Sequence, residues 1–198
     1  LYFYLSMLIF IAFYKIHMNM KIIRECIVVG GRASGGHVLG KTRDRNYSPR
    51  VNIVRELTDD GIEIVYMHDL DTDYMEGMNS NGIGVVNAAL LVGKDEKAVK
   101  GKVTSDDGPR MMNALRKKKL SDVIKSLVSF KDGIKGHTLV ASPKSMYTIE
   151  LTSKNNPIVK KVDPGNGYTV RTNHGIDHPD AGYTPKRKPE DNLSSKIR

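Results

Sequence analysis

The chain has 198 residues and a mass of 22.1 kDa, enough for one domain with a hydrophobic core of its own. Apolar residues make up 39% and charged residues 27%, which fits a soluble globular protein. The formal charge is +9, and a single cysteine excludes both an internal disulfide and a multi-cysteine zinc site.

Residues 1–19 differ in composition from the rest of the chain. Residues 1–14 carry no charge and are almost wholly apolar, yet they are too short for a spanning helix, which needs about 20 residues. A signal peptide carries its positive charge before the apolar run, whereas Lys15 follows this one. We therefore predict upstream translation, with Met20 as the start, 20–25 as a short leader, and a cytoplasmic protein without a membrane partner. The alternative is the remnant of a signal or anchor, which implies secretion.

Cys26 lies between β-branched apolar residues, a pattern that predicts a strand. Glycines, a second apolar stretch and the polar cluster 43–45 follow, so we predict a hairpin that returns Asp44 beside Cys26. Free cysteines are often simply buried. A nucleophilic cysteine needs help, because a free thiol titrates near 8.5. Arg43 or Arg45 could stabilise a thiolate and Asp44 could hold an ammonium group; otherwise the cluster is a solvated group of ion pairs.

Paired apolar runs and helical periodicity predict the remaining elements. Turn residues separate the strands expected at 51–57 and 61–67, 83–91, 138–142 and 146–151, and 158–162 and 168–172. Pro109 is suited to the first turn of a helix, and the apolar spacing from Leu120 to Val128 predicts a second helix beginning near Ser121. Strands, two helices and further strands indicate an α+β class.

The basic runs 116–119 and 186–188 raise the question of a nucleic-acid partner. They fall at the predicted helix-to-helix junction and in a proline-rich tail, where solvated surface is the usual explanation. We therefore predict no nucleic-acid partner and leave a homo-oligomer open.

Four motifs in one order resemble the cysteine N-terminal nucleophile hydrolases, which include choloylglycine hydrolases, acid ceramidase-like amidases and the penicillin acyltransferase group. Gly-Lys-Thr-Arg-Asp at 40–44 ends eighteen residues after Cys26. Glu-Gly-Met-Asn-Ser-Asn-Gly opens the segment 76–87, Thr-Asn-His ends 169–174, and Ser-Ser-Lys-Ile-Arg occupies 194–198. Two departures are a Lys-Thr pair where the family has Arg-Asn, and an uncertain basic position near the C-terminus.

The resemblance implies a four-layer αββα sandwich over residues 26–198, which we expect to be truncated at its C-terminal end. It also implies hydrolysis of non-peptide amides by an N-terminal cysteine, which cleavage of the bond before Cys26 would free. A small-molecule amide is the implied partner, with no cofactor and no metal.

The resemblance assigns roles to further residues of this sequence. Asp44 would orient the Cys26 amine, and Asn173 would donate to the oxyanion, with Asn87 as the second candidate. Arg43 or Lys41 would polarise the site. Lys196 or Arg198 would fill the basic position near the C-terminus.

Three other interpretations compete with this one. A papain-like protease would use a Cys, a His and an Asn, but its cysteine lies at a helix N-terminus rather than in a strand. A metal site would use histidines such as His68, His137 and His178, yet they lack ligand spacing. A non-catalytic binding protein of the same fold is the third.

Overall fold

A computed structural model describes residues 26–43, 48–90, 106–129, 133–152, 155–165, 167–179 and 181. The elements in chain order are β1 Cys26–Ala33, β2 Gly36–Arg43, β3 Val51–Leu57, β4 Glu63–Asp69, β5 Tyr74–Asn79, β6 Gly84–Ala88, α1 Asp107–Leu115, α2 Leu120–Val128, β7 Gly136–Ala141, β8 Met146–Leu151, β9 Ile158–Val162 and β10 Tyr168–Arg171. This order confirms the α+β class that the sequence predicts.

The strands form two antiparallel sheets. The small sheet has three strands in the order β10-β1-β2, and the large sheet has seven in the order β3-β4-β5-β6-β7-β8-β9. The predicted hairpin of β1 and β2 is present, with Gly35 at φ 90° in its turn. β5 is a strand that the sequence did not predict, since no strand was expected between 61–67 and 83–91.

Alternate residues of the large sheet face two different layers. In β6, Val85 packs with the core under the helices, while Val86 packs with Val28 of the small sheet. In β7, Val140 packs with the core under the helices, while Leu139 packs with Val28 and Val86 between the two sheets. Because successive side chains of a strand point to opposite faces, the helices cover one face of the large sheet and the small sheet covers the other.

The described residues therefore form three layers, with helices, the large sheet and the small sheet in that order. Both described helices pack on the same side, through residues such as Met111 in α1 and Leu127 in α2. Among the described residues, no helix is long and apolar enough to cross a membrane.

Gly77 of β5 occupies a position where a side chain does not fit. A Cβ atom there would collide with the Val65 carbonyl oxygen and would lie 2.6 Å from the Tyr66 Cα atom, both in the backbone of β4. We expect Gly77→Ala to lower the free energy of unfolding by about 3 kcal/mol, the upper end of the usual cost of overpacking. Urea unfolding measures this change.

Gly31→Ala is the matched control for that substitution, since Gly31 also lies in a strand. A Cβ atom at Gly31 would meet the Gly167 carbonyl oxygen at 3.4 Å, an ordinary contact. We expect its unfolding free energy to change by less than about 1 kcal/mol. Equal losses in the two variants would show that the approach of β5 to β4 does not limit stability.

Candidate functional site

Cys26 opens β1 and faces the large sheet. The register of β1 and β2 pairs Cys26 with Arg43 and Val28 with Lys41, so these four side chains share one face. Cys26 packs against the cluster of Val28, Val86, Ala88 and Leu139 between the sheets. It is a free, half-buried thiol at the end of that cluster.

Asn173 holds the backbone nitrogen of Cys26. It follows β10, whose pairing with β1 brings Arg171 opposite Val28. The Cys26 nitrogen donates a hydrogen bond of 2.6 Å to Asn173 Oδ1, and Asn173 Nδ2 donates one of 2.7 Å to the Ala89 carbonyl oxygen. Asn173 is 7% exposed. The predicted proximity to Cys26 is present, but the amide oxygen accepts from the Cys26 nitrogen, and one of the two N–H donors of Nδ2 is taken by the Ala89 carbonyl.

A buried ion pair lies beside Cys26. Lys41 Nζ donates to Glu76 Oε2 at 2.8 Å and to the Tyr74 hydroxyl at 3.1 Å, and the side chains of Lys41 and Glu76 are 6% and 8% exposed. Glu76 Oε2 also accepts from the Tyr74 hydroxyl at 3.0 Å and from the Asn87 backbone nitrogen at 3.4 Å. The Glu76 carboxylate on β5 thus joins the large sheet to Lys41 of the small sheet.

Burial governs the protonation of Lys41 and Tyr74. It lowers the pKa of Lys41 below its ordinary value, although the Glu76 carboxylate opposes this shift and Arg43 adds to it. Burial, reinforced by Glu76, raises the pKa of Tyr74 well above its ordinary value. Tyr74 therefore keeps its proton at neutral pH and can donate it to Glu76.

Arg43 offers hydrogen-bond donors at this site. Its guanidinium lies 4.1 Å from the centre of the Tyr74 ring, and its Nη1 lies 3.9 Å from Asp69 Oδ2. The Arg43 side chain is 19% exposed, and its buried Nε and Nη1 atoms have no hydrogen-bond partner among the described residues. Because Arg43 is the register partner of Cys26, its side chain leaves β2 on the same face as the thiol.

Asn87 lies on the other face of the large sheet. Its neighbours Val86 and Ala88 pack in the cluster with Cys26, and Asn87 instead donates through Nδ2 to Thr138 Oγ1 at 2.9 Å. Thr138 shares its face with Val140 under the helices. The expected position of Asn87 near the thiol is therefore corrected, because a sheet separates the Asn87 amide from Cys26.

Asp44, Lys196 and Arg198 lie outside the described residues, so their predicted roles stay predictions. Two residues of the site were missed by the sequence analysis, Tyr74 and Glu76. One signal was available for Glu76, since it opens the Glu-Gly-Met-Asn motif and places a charge in an otherwise apolar stretch.

A cavity of about 120 Å³ lies between the two sheets, next to the ion pair. Lys41 and Glu76 form part of its wall, and apolar side chains of both sheets, including Leu39, Met78 and Val86, form much of the rest. The cavity offers apolar space beside charged groups. Within the described residues, no group of three or more histidine, cysteine or acidic side chains is arranged to hold a metal ion.

No family model and no curated protein matches this sequence. The interpretation of the site therefore rests on its own geometry and on the motifs given above.

Proposed function

We propose that the protein is an amidase or acyltransferase that acts on non-peptide amides through an N-terminal Cys26. The observation that carries this proposal is the hydrogen bond of 2.6 Å from the Cys26 nitrogen to Asn173 Oδ1. A part-buried backbone N–H needs an acceptor in any fold, and here a side chain supplies it. The same acceptor would hold the nitrogen in place once cleavage made it the α-amine of an N-terminal cysteine.

Maturation would free that amine. The Cys26 thiol attacks the Glu25 carbonyl carbon, the peptide bond to the Cys26 nitrogen breaks as that nitrogen takes the thiol proton, and the acyl group is then held on sulfur as a thioester. Water then hydrolyses the thioester, which releases the leader and returns the thiol. The new α-amine titrates near 7.7–8.0 in model peptides, so it can accept the thiol proton at neutral pH without a histidine.

Catalysis then uses the same atoms on a substrate amide. The thiolate attacks the amide carbonyl carbon, the C–N bond breaks as the leaving amine takes a proton, and an acyl-enzyme forms. Water or another acceptor releases the acyl group. The Nε and Nη1 donors of Arg43, which have no hydrogen-bond partner among the described residues, support stabilisation of the oxyanion, a task for which positioned hydrogen-bond donors are effective. Lys41 supplies further positive charge.

The layer order and the cavity support the finer parts of the proposal. Helices, a large sheet and a small sheet account for three layers of an αββα sandwich. The cavity next to Lys41 and Glu76 supports an apolar acyl group as the part of the substrate that enters the protein. Incubation with a panel of N-acyl amides, followed by measurement of the released amine, tests both the amidase activity and the preference for an apolar acyl group.

A non-catalytic binding protein is the second candidate. It is favoured by one observation, namely that Glu76 and Tyr74 already occupy donors of Lys41. Intact mass after mixing with an activated acyl ester distinguishes the two candidates. A covalent acyl adduct that forms on Cys26 and decays in water supports the enzyme, and a stable mass without adduct supports the binding protein.

Replacing Asn173 tests the hold on the Cys26 nitrogen. We expect Asn173→Ala to lower kcat about 100-fold, the scale of effect that a misplacement of about 1 Å produces. We also expect a loss of about 1 kcal/mol in unfolding free energy, because the Cys26 nitrogen and the Ala89 carbonyl lose their hydrogen-bond partner. Steady-state kinetics and urea unfolding measure the two effects.

The exposed Asn52 of β3 provides the control for Asn173, and Asn52→Ala should change neither quantity. An Asn173→Ala enzyme with full kcat would show that Asn173 contributes only to folding.

A further inference from the structure

The segment that carries Asn173 is anchored by a buried pair from the large sheet. His137 of β7 and Glu150 of β8 are register partners, and they are 1% and 3% exposed. His137 lies on the same face as Leu139, which belongs to the cluster beside Cys26. Both side chains therefore lie between the sheets, on the side of the candidate site.

Glu150 binds the backbone that follows Asn173. Its carboxylate accepts hydrogen bonds from three successive backbone nitrogens, those of Ile176, Asp177 and His178, at 3.2, 2.9 and 2.8 Å. A carboxylate held by several N–H groups makes charge-assisted bonds, which are stronger than neutral ones. Glu150 thus fixes the course of the chain just after His174.

His137 binds the same segment closer to Cys26. Its Nε2 atom lies 2.6 Å from the His174 carbonyl oxygen, and because a carbonyl only accepts, Nε2 carries a proton. Its Nδ1 atom lies 3.6 Å from Glu150 Oε2. Burial lowers the pKa of His137, assisted by Arg171 and opposed by the His174 carbonyl, Glu150 and Asp177. The imidazole is therefore neutral at pH 7, with its proton on Nε2.

We propose that His137 is a positioning residue for Cys26. Through its bond to the His174 carbonyl, it fixes the residue next to Asn173, whose Oδ1 accepts from the Cys26 nitrogen. This hydrogen bond joins β7 of the large sheet to the segment that follows β10 of the small sheet. It therefore sets the distance between Asn173 and β7. The catalytic meaning of this role rests on the proposed function, whereas the position of Cys26 can be tested without a substrate.

The test compares two substitutions at His137. His137→Leu keeps an apolar volume and removes the donor, while His137→Gln keeps an N–H donor for the carbonyl. The matched control is His68→Leu, because His68 Nε2 lies 2.7 Å from Asp73 Oδ1 and His68 shares its face with the helix-side residue Ile64.

Two quantities are measured in each mature variant. The first is the rate at which iodoacetamide alkylates Cys26 at pH 7, which is unambiguous because the chain has a single cysteine. The second is the division of any loss between kcat and KM on an N-acyl amide. We expect iodoacetamide to alkylate Cys26 more slowly in His137→Leu. We also expect the kcat of this variant to fall about 100-fold with KM unchanged. His137→Gln should restore most of the alkylation rate and most of kcat, and His68→Leu should match the unsubstituted protein in both quantities.

The outcomes separate this inference from the proposed function. If the unsubstituted protein hydrolyses no amide but His137→Leu still slows alkylation, the proposed function fails and the positioning role stands. If His137→Leu is folded and keeps the alkylation rate and kcat of the unsubstituted protein, the positioning role is overturned. If His137→Leu does not fold, His137→Asn replaces it, since its shorter amide keeps a polar group in the buried place but does not reach the His174 carbonyl, and an unchanged alkylation rate there overturns the role equally.

Discussion

A chain that starts at Met20 and carries Cys26→Ala should keep residues 20–25 and release no amine from any amide. The unsubstituted chain should lose these six residues and begin at Cys26. The reason is that, under the proposed function, the thiol would be the nucleophile in both steps, first on the Glu25 carbonyl and then on the substrate. The Asn173 acceptor at 2.6 Å from the Cys26 nitrogen is in place for the amine that the first step produces. Intact mass measures the first step and amine release measures the second.

Cys26→Ser is the matched control, because a hydroxyl keeps the geometry and replaces only the nucleophilic atom. We expect it to process slowly and to retain little turnover, since a hydroxyl is the weaker nucleophile at neutral pH. An active enzyme on which Met20 is still present would show that no N-terminal amine takes part.

Breaking the Lys41–Glu76 pair should cause the largest loss of stability. These side chains are almost fully buried and 2.8 Å apart. Removing one partner leaves an uncompensated charge between the sheets, so we expect Lys41→Met or Glu76→Leu to cost about 3–5 kcal/mol of unfolding free energy. The double substitution removes both charges, and it should cost clearly less than the sum of the single ones. Urea unfolding of the four proteins gives the coupling free energy.

The exposed pair of Arg55 and Glu63 provides the control for that cycle. Arg55 Nη2 lies 2.9 Å from Glu63 Oε2, but the Arg55 side chain is 72% exposed. Solvent screens such a pair, so Arg55→Met should leave the unfolding free energy nearly unchanged. Additive losses at Lys41 and Glu76 would show that the buried contact contributes no coupling and that each side chain acts alone.

Much of the fold follows from local pattern. The β-branched apolar run around Cys26 and the glycines after it predict the hairpin, and the hairpin register alone brings Arg43 opposite Cys26. The helical spacing from Leu120 places α2 within one residue of its observed start at Leu120. β5 escaped prediction because Tyr74–Asn79 has a charge and a glycine inside it, and its strand conformation depends on pairing with β4.

The site itself was only partly determined by the sequence. The sequence by itself determined a strand that contains Cys26, a cationic end of the next strand close to it, and an asparagine at the end of a later strand. Tertiary structure decided that Glu76 meets Lys41, that Asn87 faces the helices, and that His137 reaches the His174 carbonyl. The physical reason is that the period of a strand shows which residues share a face, whereas only the stacking of the two sheets shows what that face meets.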